Sequence, residues 1–229
     1  MPYLFYDSTY LIIIPAIIFA LIAQINVKST FEKYSKIKNG RGFTGRDVAR
    51  QILDNNGLYN VRIEHVSGKL SDHYDPRTNV VRLSDSVYNS SSVAAIGVAA
   101  HEVGHAIQHS QGYTPIKIRS AIIPVTQIGS NLAMPLVILG LILSIQSFIT
   151  FGILLFTTVV FFQAVTLPVE FNASRRALAT LKDSFILEGE ELAQSKKVLT
   201  AAALTYVAAL FSSIMSLLRL ILLSNRRKR

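Results

Sequence analysis

Long uncharged runs alternate with polar segments along this chain of 229 residues. In the first run, residues 8–27, no side chain is charged and positions 11–23 are almost wholly aliphatic. About twenty residues of this kind are enough to cross a bilayer as an α-helix, so residues 8–27 are predicted to be a transmembrane helix. Asp7 and the lack of an early Lys or Arg argue against a cleavable signal peptide, which needs a basic leading region.

Residues 120–169 form a second uncharged stretch, long enough for two helices of about twenty residues each. Polar residues between 144 and 147 mark a turn, so a transmembrane helical hairpin is predicted here. Pro124 and Pro135 would disrupt a soluble helix, whereas neighbouring helices and polar side chains satisfy the freed carbonyl groups in a membrane protein. The alternative, a buried hairpin of a soluble domain, is therefore disfavoured.

Residues 198–223 form a third hydrophobic segment, which is rich in alanine and is interrupted by Arg219. We predict a helix that either crosses the membrane or lies on its surface. A full crossing would export the basic end of the chain, Arg226 to Arg229. Because basic ends stay in the cytoplasm, three spans and a peripheral or re-entrant final helix are the preferred topology.

The side of the membrane is predicted from the basic residues that follow the first span, namely Lys28, Lys33, Lys36 and Lys38. Segments flanked in this way face the cytoplasm. The hairpin then returns the chain to the same side. Residues 28–119 and 170–197 are therefore predicted to form two parts of one cytoplasmic domain of a cell-membrane protein.

Composition agrees with a membrane protein, because half of the residues are hydrophobic and the mean hydropathy is positive. The net charge of +9 is placed beside hydrophobic segments, which indicates contact with the lipid bilayer and not with nucleic acid. Cysteine is absent. Thiolate chemistry is therefore excluded, and His and carboxylate side chains are the good metal ligands that remain.

The segment 28–119 begins with a predicted helix over Gly45–Asn55, capped by Thr44 and ended by Gly57. Strand-like runs follow at 58–66, 70–74 and 80–83, separated by turn residues. A small β-sheet is therefore expected before the next helix.

That next helix is predicted over Val93–Ser110, after serines that can cap it, and it contains His101-Glu102-Val103-Gly104-His105. Residues four apart share one face of a helix, so both imidazoles can bind one zinc ion while Glu102 serves as general base. The alternative is a pair of buried histidines with no metal. The apolar flanks of the motif leave only the ligand face polar, and they favour the zinc site.

A catalytic zinc commonly has three protein ligands, so a third is needed. The metzincin pattern is excluded because Gln108 and Gln111 stand where it requires Gly and His. His109 falls progressively off the face shared by the two motif histidines. Glu170 is the better candidate because it is the first charged residue after the hairpin, although an ordinary interfacial carboxylate stays open as an alternative.

The segment Glu170-Phe171-Asn172-Ala173-Ser174-Arg175-Arg176, placed after the hairpin and the motif helix, resembles that of the YugP-type integral-membrane zinc metallopeptidases. These are similar to the wider gluzincin group, which includes HtpX and the CAAX-processing membrane proteases. The resemblance covers most of the chain and implies that Glu170 is the third zinc ligand. The wider group has Asp at the position of Ser174, where it orients a zinc histidine, so the partners of the two histidines stay unassigned here.

The family resemblance also implies that the hairpin at 70–83 contains the edge strand on which an extended peptide binds. His73 and Tyr74 would then lie near the cleft, and Arg175 or Arg176 would stabilise an oxyanion. Ordinary turn or surface roles remain open for all four.

Together these features predict a mainly α membrane protein with a zincin-like metallopeptidase domain, a small β-sheet, an N-terminal transmembrane helix and a transmembrane hairpin. The predicted function is hydrolysis of peptide bonds in peptide or membrane-protein substrates, with zinc held by His101, His105 and Glu170. Polar residues around the motif argue against a site inside the bilayer. A non-catalytic scaffold that binds zinc only to hold its fold is the alternative.

Overall fold

The computed structural model describes residues 8–226, which are mostly helical. A short 3-10 helix, Ser8–Ile12, precedes α1 (Ile14–Tyr34), α2 (Gly45–Asn55), α3 (Val93–Ser110), α4 (Thr114–Leu143), α5 (Gln146–Asp183) and α6 (Gly189–Arg226). The strands are β1 (Arg62–Val66), β2 (His73–Asp75) and β3 (Val80–Ser84). Of the charges used above to predict topology, Asp7, Arg227, Lys228 and Arg229 lie outside the described residues.

Within residues 8–226, four helices are long and apolar enough to cross a membrane: Thr9–Tyr34, Thr114–Leu143, Gln146–Asp183 and Gly189–Asn225. Large aliphatic side chains on them are exposed, with Ile25 at 67%, Ile142 at 68% and Leu154 at 62%. So much apolar surface is rare on a soluble monomer and is typical of surface that lipid covers. The predicted class, a mainly α membrane protein with a small sheet, is confirmed. Whether α6 crosses the bilayer stays a prediction.

One compact unit consists of the described residues of Met1–Gln24, Ile118–Leu167 and Thr205–Arg229. Its α4–α5 hairpin turns at Ser144, which has a φ of 62°, whereas Gln146 and Ser147, which were also predicted for the turn, begin α5. A Cβ on Gly152 of α5 would lie 2.8 Å from the carbonyl oxygen of Ala133 of α4. Small residues thus let these two apolar helices pack closely. Within the same unit, the Phe19 and Phe211 rings pack edge to face.

The second compact unit consists of Ile25–Lys117 and Pro168–Leu204. Its α2 begins where predicted, because Thr44 and Asp47 form a capping box that binds the free N–H groups of the first turn. The sheet order within the described residues is β1-β3-β2, with β1 parallel and β2 antiparallel to the central β3.

The strands at 62–66 and 73–75 are shorter than the predicted runs 58–66 and 70–74. Residues 58–61 leave the sheet because the Arg50 guanidinium binds the carbonyl oxygens of Leu58 and Val61, at 3.1 and 2.8 Å. The early part of the second run turns at Leu70, whose φ is 56°. Hydrogen bonds to Arg50 at residues 58–61 and the backbone turn at Leu70 therefore shorten the strands that the apolar pattern predicts.

Helix α3 lies in the core of this unit, and almost all of its apolar side chains are buried. Gly97 and Gly104 lie in close contact with α6 and α5, respectively. A Cβ at Gly97 would meet Ser195 Oγ of α6, and a Cβ at Gly104 would lie 2.8 Å from the Ala173 carbonyl oxygen of α5. These two glycines therefore determine how closely the later helices approach α3.

Candidate metal centre

Helix α3 carries the first part of the candidate site, as predicted from the motif. Ser92 caps it by accepting a hydrogen bond from the Ala95 amide at 3.1 Å. The His101 and His105 rings lie on the same face, with centroids 4.8 Å apart and an edge-to-face angle of 86°. Glu102 follows His101 on the same turn and is 9% exposed. The helix therefore presents two imidazoles and a carboxylate from one short segment.

Helix α5 brings Glu170 to this face, and its side chain is almost fully buried. The Oε2 atom of Glu170 lies 3.2 Å from Nε2 of His101 and 3.5 Å from Nε2 of His105. The approach depends on the contact of Gly104 with Ala173, which is three residues after Glu170 on α5. The structure thus brings the three predicted ligands together.

The donor atoms fit a zinc ion. One atom from each of His101, His105 and Glu170 can serve, and all three lie within 4.8 Å of one another. Bonds of 2.0–2.1 Å in a tetrahedron place neighbouring ligand atoms about 3.3–3.4 Å apart, close to the two distances from the Glu170 carboxylate. Two neutral imidazoles with one carboxylate form a known catalytic zinc set, which leaves a fourth position open.

His105 is oriented by Gln108, a residue whose role was not predicted. The Oε1 atom of Gln108 lies 3.0 Å from His105 Nδ1. Its Nε2 atom donates to the Val169 carbonyl at 2.8 Å and to Asn172 Oδ1 at 2.9 Å. Because the amide donates on that side, its oxygen must face His105. His105 then carries its proton on Nδ1 and leaves the Nε2 lone pair for a metal.

The same network extends to Arg176, which was considered above as an oxyanion partner. Its Nε donates to Asn172 Oδ1 at 2.7 Å and its Nη1 donates to Gln111 Oε1 at 2.6 Å. Arg176 therefore supports the residues that hold His105.

His101 is oriented by Ser174, whose Oγ lies 3.1 Å from His101 Nδ1. With Nε2 directed at Glu170, the Nδ1–H group donates to this hydroxyl. Ser174 stands where the wider group has an aspartate, so a neutral acceptor replaces a charged one. The two partners left unassigned from the sequence are thus Ser174 for His101 and Gln108 for His105.

The burial and the pKa of the Glu102 carboxyl suit a proton acceptor. Burial raises the pKa of the Glu102 carboxyl above its ordinary value, although the charges of His101 and His105 partly oppose this. No side chain within residues 8–226 hydrogen-bonds to the Glu102 carboxylate. For His105, burial lowers the pKa, but the hydrogen bond and charge of Glu170 outweigh burial, so the net pKa is raised. A carboxylate that is neither solvated nor bonded elsewhere is suited to accept a proton.

The remaining sequence candidates lie outside this cluster. The His109 ring packs against that of Tyr74, with centroids 5.5 Å apart. His73 is exposed, and its Nδ1 lies 2.8 Å from the Ser71 carbonyl. Arg175 is exposed on α5 and lines a groove that contains none of the four site residues.

Comparison with known proteins agrees with the site. A family model described as "Putative neutral zinc metallopeptidase" matches residues 9–225. A Bacillus subtilis (strain 168) protein named "Putative membrane protease YugP" is 50% identical over 201 residues, which are 88% of this chain and 89% of that protein. No solved structure gives a significant match. The resemblance predicted from the motif and from the Glu170 segment is confirmed, and the chain belongs to this family of membrane zinc metallopeptidases.

Proposed function

We propose that this protein is a zinc-dependent metalloendopeptidase of the gluzincin type, anchored in the cell membrane. One observation carries the proposal: the Glu170 carboxylate lies within 3.5 Å of Nε2 on both motif histidines, beside the buried Glu102. His101, His105 and Glu170 are the proposed zinc ligands. Glu102 is not one of these ligands and is the proposed general base.

A zinc ion held there supplies Lewis acidity, which activates a water and polarises the peptide carbonyl. Glu102 accepts the proton that the attacking water loses and returns it to the departing amine. Gln108 and Ser174 keep the Nδ1 protons of the histidines in place, so neither ring takes part in the proton transfer. Burial of Glu102 favours this exchange because it raises the pKa of the carboxyl towards that of the groups it serves.

The proposed substrate is an extended peptide or a segment of a membrane protein. Strand β2 supports this because it lies at an edge of the sheet and Tyr74, at its centre, contacts His109 of α3. An edge strand beside the catalytic helix can pair with a substrate backbone by strand addition. We propose that β2 serves in this way.

The proposed location of the site is the cytoplasmic surface of the membrane. It rests on the lysines that follow the first apolar segment and on the hairpin that returns the chain to one side. The bilayer is the proposed partner, and no nucleic-acid partner is proposed.

The test replaces Glu102 by Gln in the full-length protein in detergent. Glu32→Gln is the matched control, since Glu32 is an exposed carboxylate in the same unit. The Glu102 variant should retain zinc, measured by elemental analysis, and lose about 10²–10⁴-fold of its cleavage rate on an unfolded protein substrate. The control should keep both. Equal cleavage by all three proteins would reject Glu102 as the base, and zinc-loaded wild-type protein without cleavage would favour the non-catalytic scaffold.

A further inference from the structure

Helices α5 and α6 of the second unit enclose a groove of about 990 Å³ that is separate from the metal centre. Its walls are mainly apolar and include Pro168, Phe171, Leu178, Leu192, Leu199 and Leu204. None of His101, Glu102, His105 and Glu170 lines it. The volume lies in the range of sites that bind organic ligands.

Three cationic side chains line this groove, namely Arg175, Lys182 and Lys196, and all three are exposed. The lining contains no Asp or Glu. Within residues 8–226, none of the three takes part in an ion pair or a side-chain hydrogen bond. The groove is therefore positively charged, and it suits an anionic occupant.

The polarity of the groove changes along its length. Pro168 lies within the uncharged stretch 120–169, Phe171 is two residues after its end, and Leu204 lies within the uncharged stretch 198–218. Lys182 lies about three helical turns after Phe171 on α5, and Lys196 lies about two turns before Leu204 on α6. One end is thus apolar and continuous in sequence with the membrane segments, whereas the other end is cationic.

We propose that this groove binds an acidic phospholipid. The phosphate of the lipid contacts Arg175, Lys182 and Lys196, and the acyl chain of the lipid packs on Phe171 and Leu204. A basic groove with an apolar end suits a lipid phosphate and its acyl chain, whereas an acidic peptide has no need of the apolar end.

The site bears on the metal centre because α5 forms one wall of it and also carries Glu170. Asn172 and Ser174, which take part in orienting His105 and His101, border the groove as well. A bound lipid therefore contacts the helix that holds these groups in place. The proposal does not depend on proteolysis and can be tested in an inactive protein.

The test uses a single tryptophan, since the natural chain contains none. Phe171→Trp places it in the groove at a position that is 45% exposed. Phe161→Trp is the control, on the same helix and 52% exposed. The full-length variants are placed in phosphatidylcholine nanodiscs that contain dibrominated phosphatidylglycerol or dibrominated phosphatidylcholine. The groove tryptophan should be quenched more strongly by the acidic lipid, and the control equally by both. Equal quenching of the groove tryptophan would overturn the proposal.

A second arm adds Arg175→Gln, Lys182→Gln and Lys196→Gln to the groove reporter. Its matched control adds Lys36→Gln, Arg41→Gln and Lys69→Gln, which remove the same charge from exposed sites elsewhere. The groove set should weaken the apparent affinity for the acidic lipid about fivefold for each cation removed, and the control set should not. Equal weakening by both sets would indicate general surface charge and reject the site. In nanodiscs of phosphatidylcholine alone, a soluble acidic peptide that protects the groove tryptophan from an aqueous quencher would assign the groove to a peptide instead.

Discussion

Gln108 lies one turn after His105 on α3, and its Oε1 atom is 3.0 Å from the Nδ1 atom of His105. The Gln108 side chain is fully buried, and its amide nitrogen is held by the Val169 carbonyl and by Asn172. Since the amide cannot flip without losing both bonds, it holds His105 in the tautomer that binds a metal through Nε2. Gln108 is therefore a positioning residue for the metal centre.

The first prediction is that Gln108→Leu lowers zinc affinity about 10–100-fold while the protein stays folded. Leucine has nearly the same volume but cannot accept the hydrogen bond from His105 Nδ1. Competition with a fluorescent chelator measures the affinity. Gln111→Leu is the control, because Gln111 is exposed and contacts only the outer part of the network, at Arg176. Unchanged affinity in the Gln108 variant would show that this hydrogen bond does not orient the ligand.

The second prediction concerns Ser174, whose hydroxyl faces His101 Nδ1 at 3.1 Å. Ser174→Ala removes the acceptor and should lower zinc affinity by about tenfold, at the lower end for such partners because the hydroxyl is neutral. Ser174→Asp supplies a charged acceptor and should raise the affinity above that of the natural protein. The same chelator competition measures both. An alanine variant that binds zinc as tightly as wild type would remove Ser174 from the site.

The third prediction concerns the crossing of α3 and α5. In Gly104→Ala the new Cβ lies 2.8 Å from the Ala173 carbonyl oxygen, so the backbone of α5 must move. That shift would withdraw Glu170 from the histidines. We expect a loss of about 1–3 kcal/mol in unfolding free energy and reduced zinc binding, measured by denaturant unfolding and by metal analysis.

The control for this crossing is Gly97→Ala, in which the new Cβ meets the Ser195 hydroxyl of α6. Here the obstacle is the end of a side chain, so Ser195→Ala in the same protein should restore most of the stability. No side-chain change at Ala173 should rescue Gly104→Ala, because its obstacle is backbone. If a side-chain change at Ala173 restored the stability of Gly104→Ala, as Ser195→Ala is expected to do for Gly97→Ala, the helices would separate easily. Gly104 would then not set the position of Glu170.

The sequence predicts α2 and α3 to the residue because their signals are local. Thr44, Asp47 and Ser92 cap the helices through bonds within three residues, and side chains four apart must share a helix face. Gln108 carried such a signal too, since its spacing of three from His105 places it on the same face. Its mismatch with the metzincin pattern does not by itself point to this role.

The features that could not be predicted depend on contacts distant in sequence. The parallel pairing of β1 with β3 needs the chain to cross over between them, which apolar patterns do not specify. The position of Glu170 depends on Gly104 meeting Ala173, 69 residues later in the chain, and spacing alone does not reveal that contact. Family resemblance pointed to the position of Ser174, but only as a departure from the aspartate of the wider group, and it left the partner of His101 unassigned.

The last prediction concerns Asp72, which lies just before β2. Its carboxylate accepts hydrogen bonds from the Ser84 amide at 2.7 Å and from the Ser84 hydroxyl at 2.9 Å. Burial raises the pKa of Asp72 above 3.8 in spite of these bonds. The folded protein therefore holds this proton more tightly than the unfolded chain does. Its contribution to stability is fully present below about pH 4 and is lost as pH rises through the raised pKa.

Asp72→Asn keeps the shape of the side chain but cannot ionise. As pH rises above about 4, the unfolding free energy of the wild type should therefore fall relative to that of the variant. Asp85→Asn should give the opposite trend below about pH 4, because the Gly68 amide and His65 lower the pKa of Asp85 and its contribution to stability is lost as pH falls through that lowered pKa. Denaturant unfolding of the three proteins on both sides of about pH 4 measures both differences, and effects of pH on zinc binding cancel when each variant is compared with wild type. Parallel pH profiles for wild type and Asp72→Asn would contradict the raised pKa.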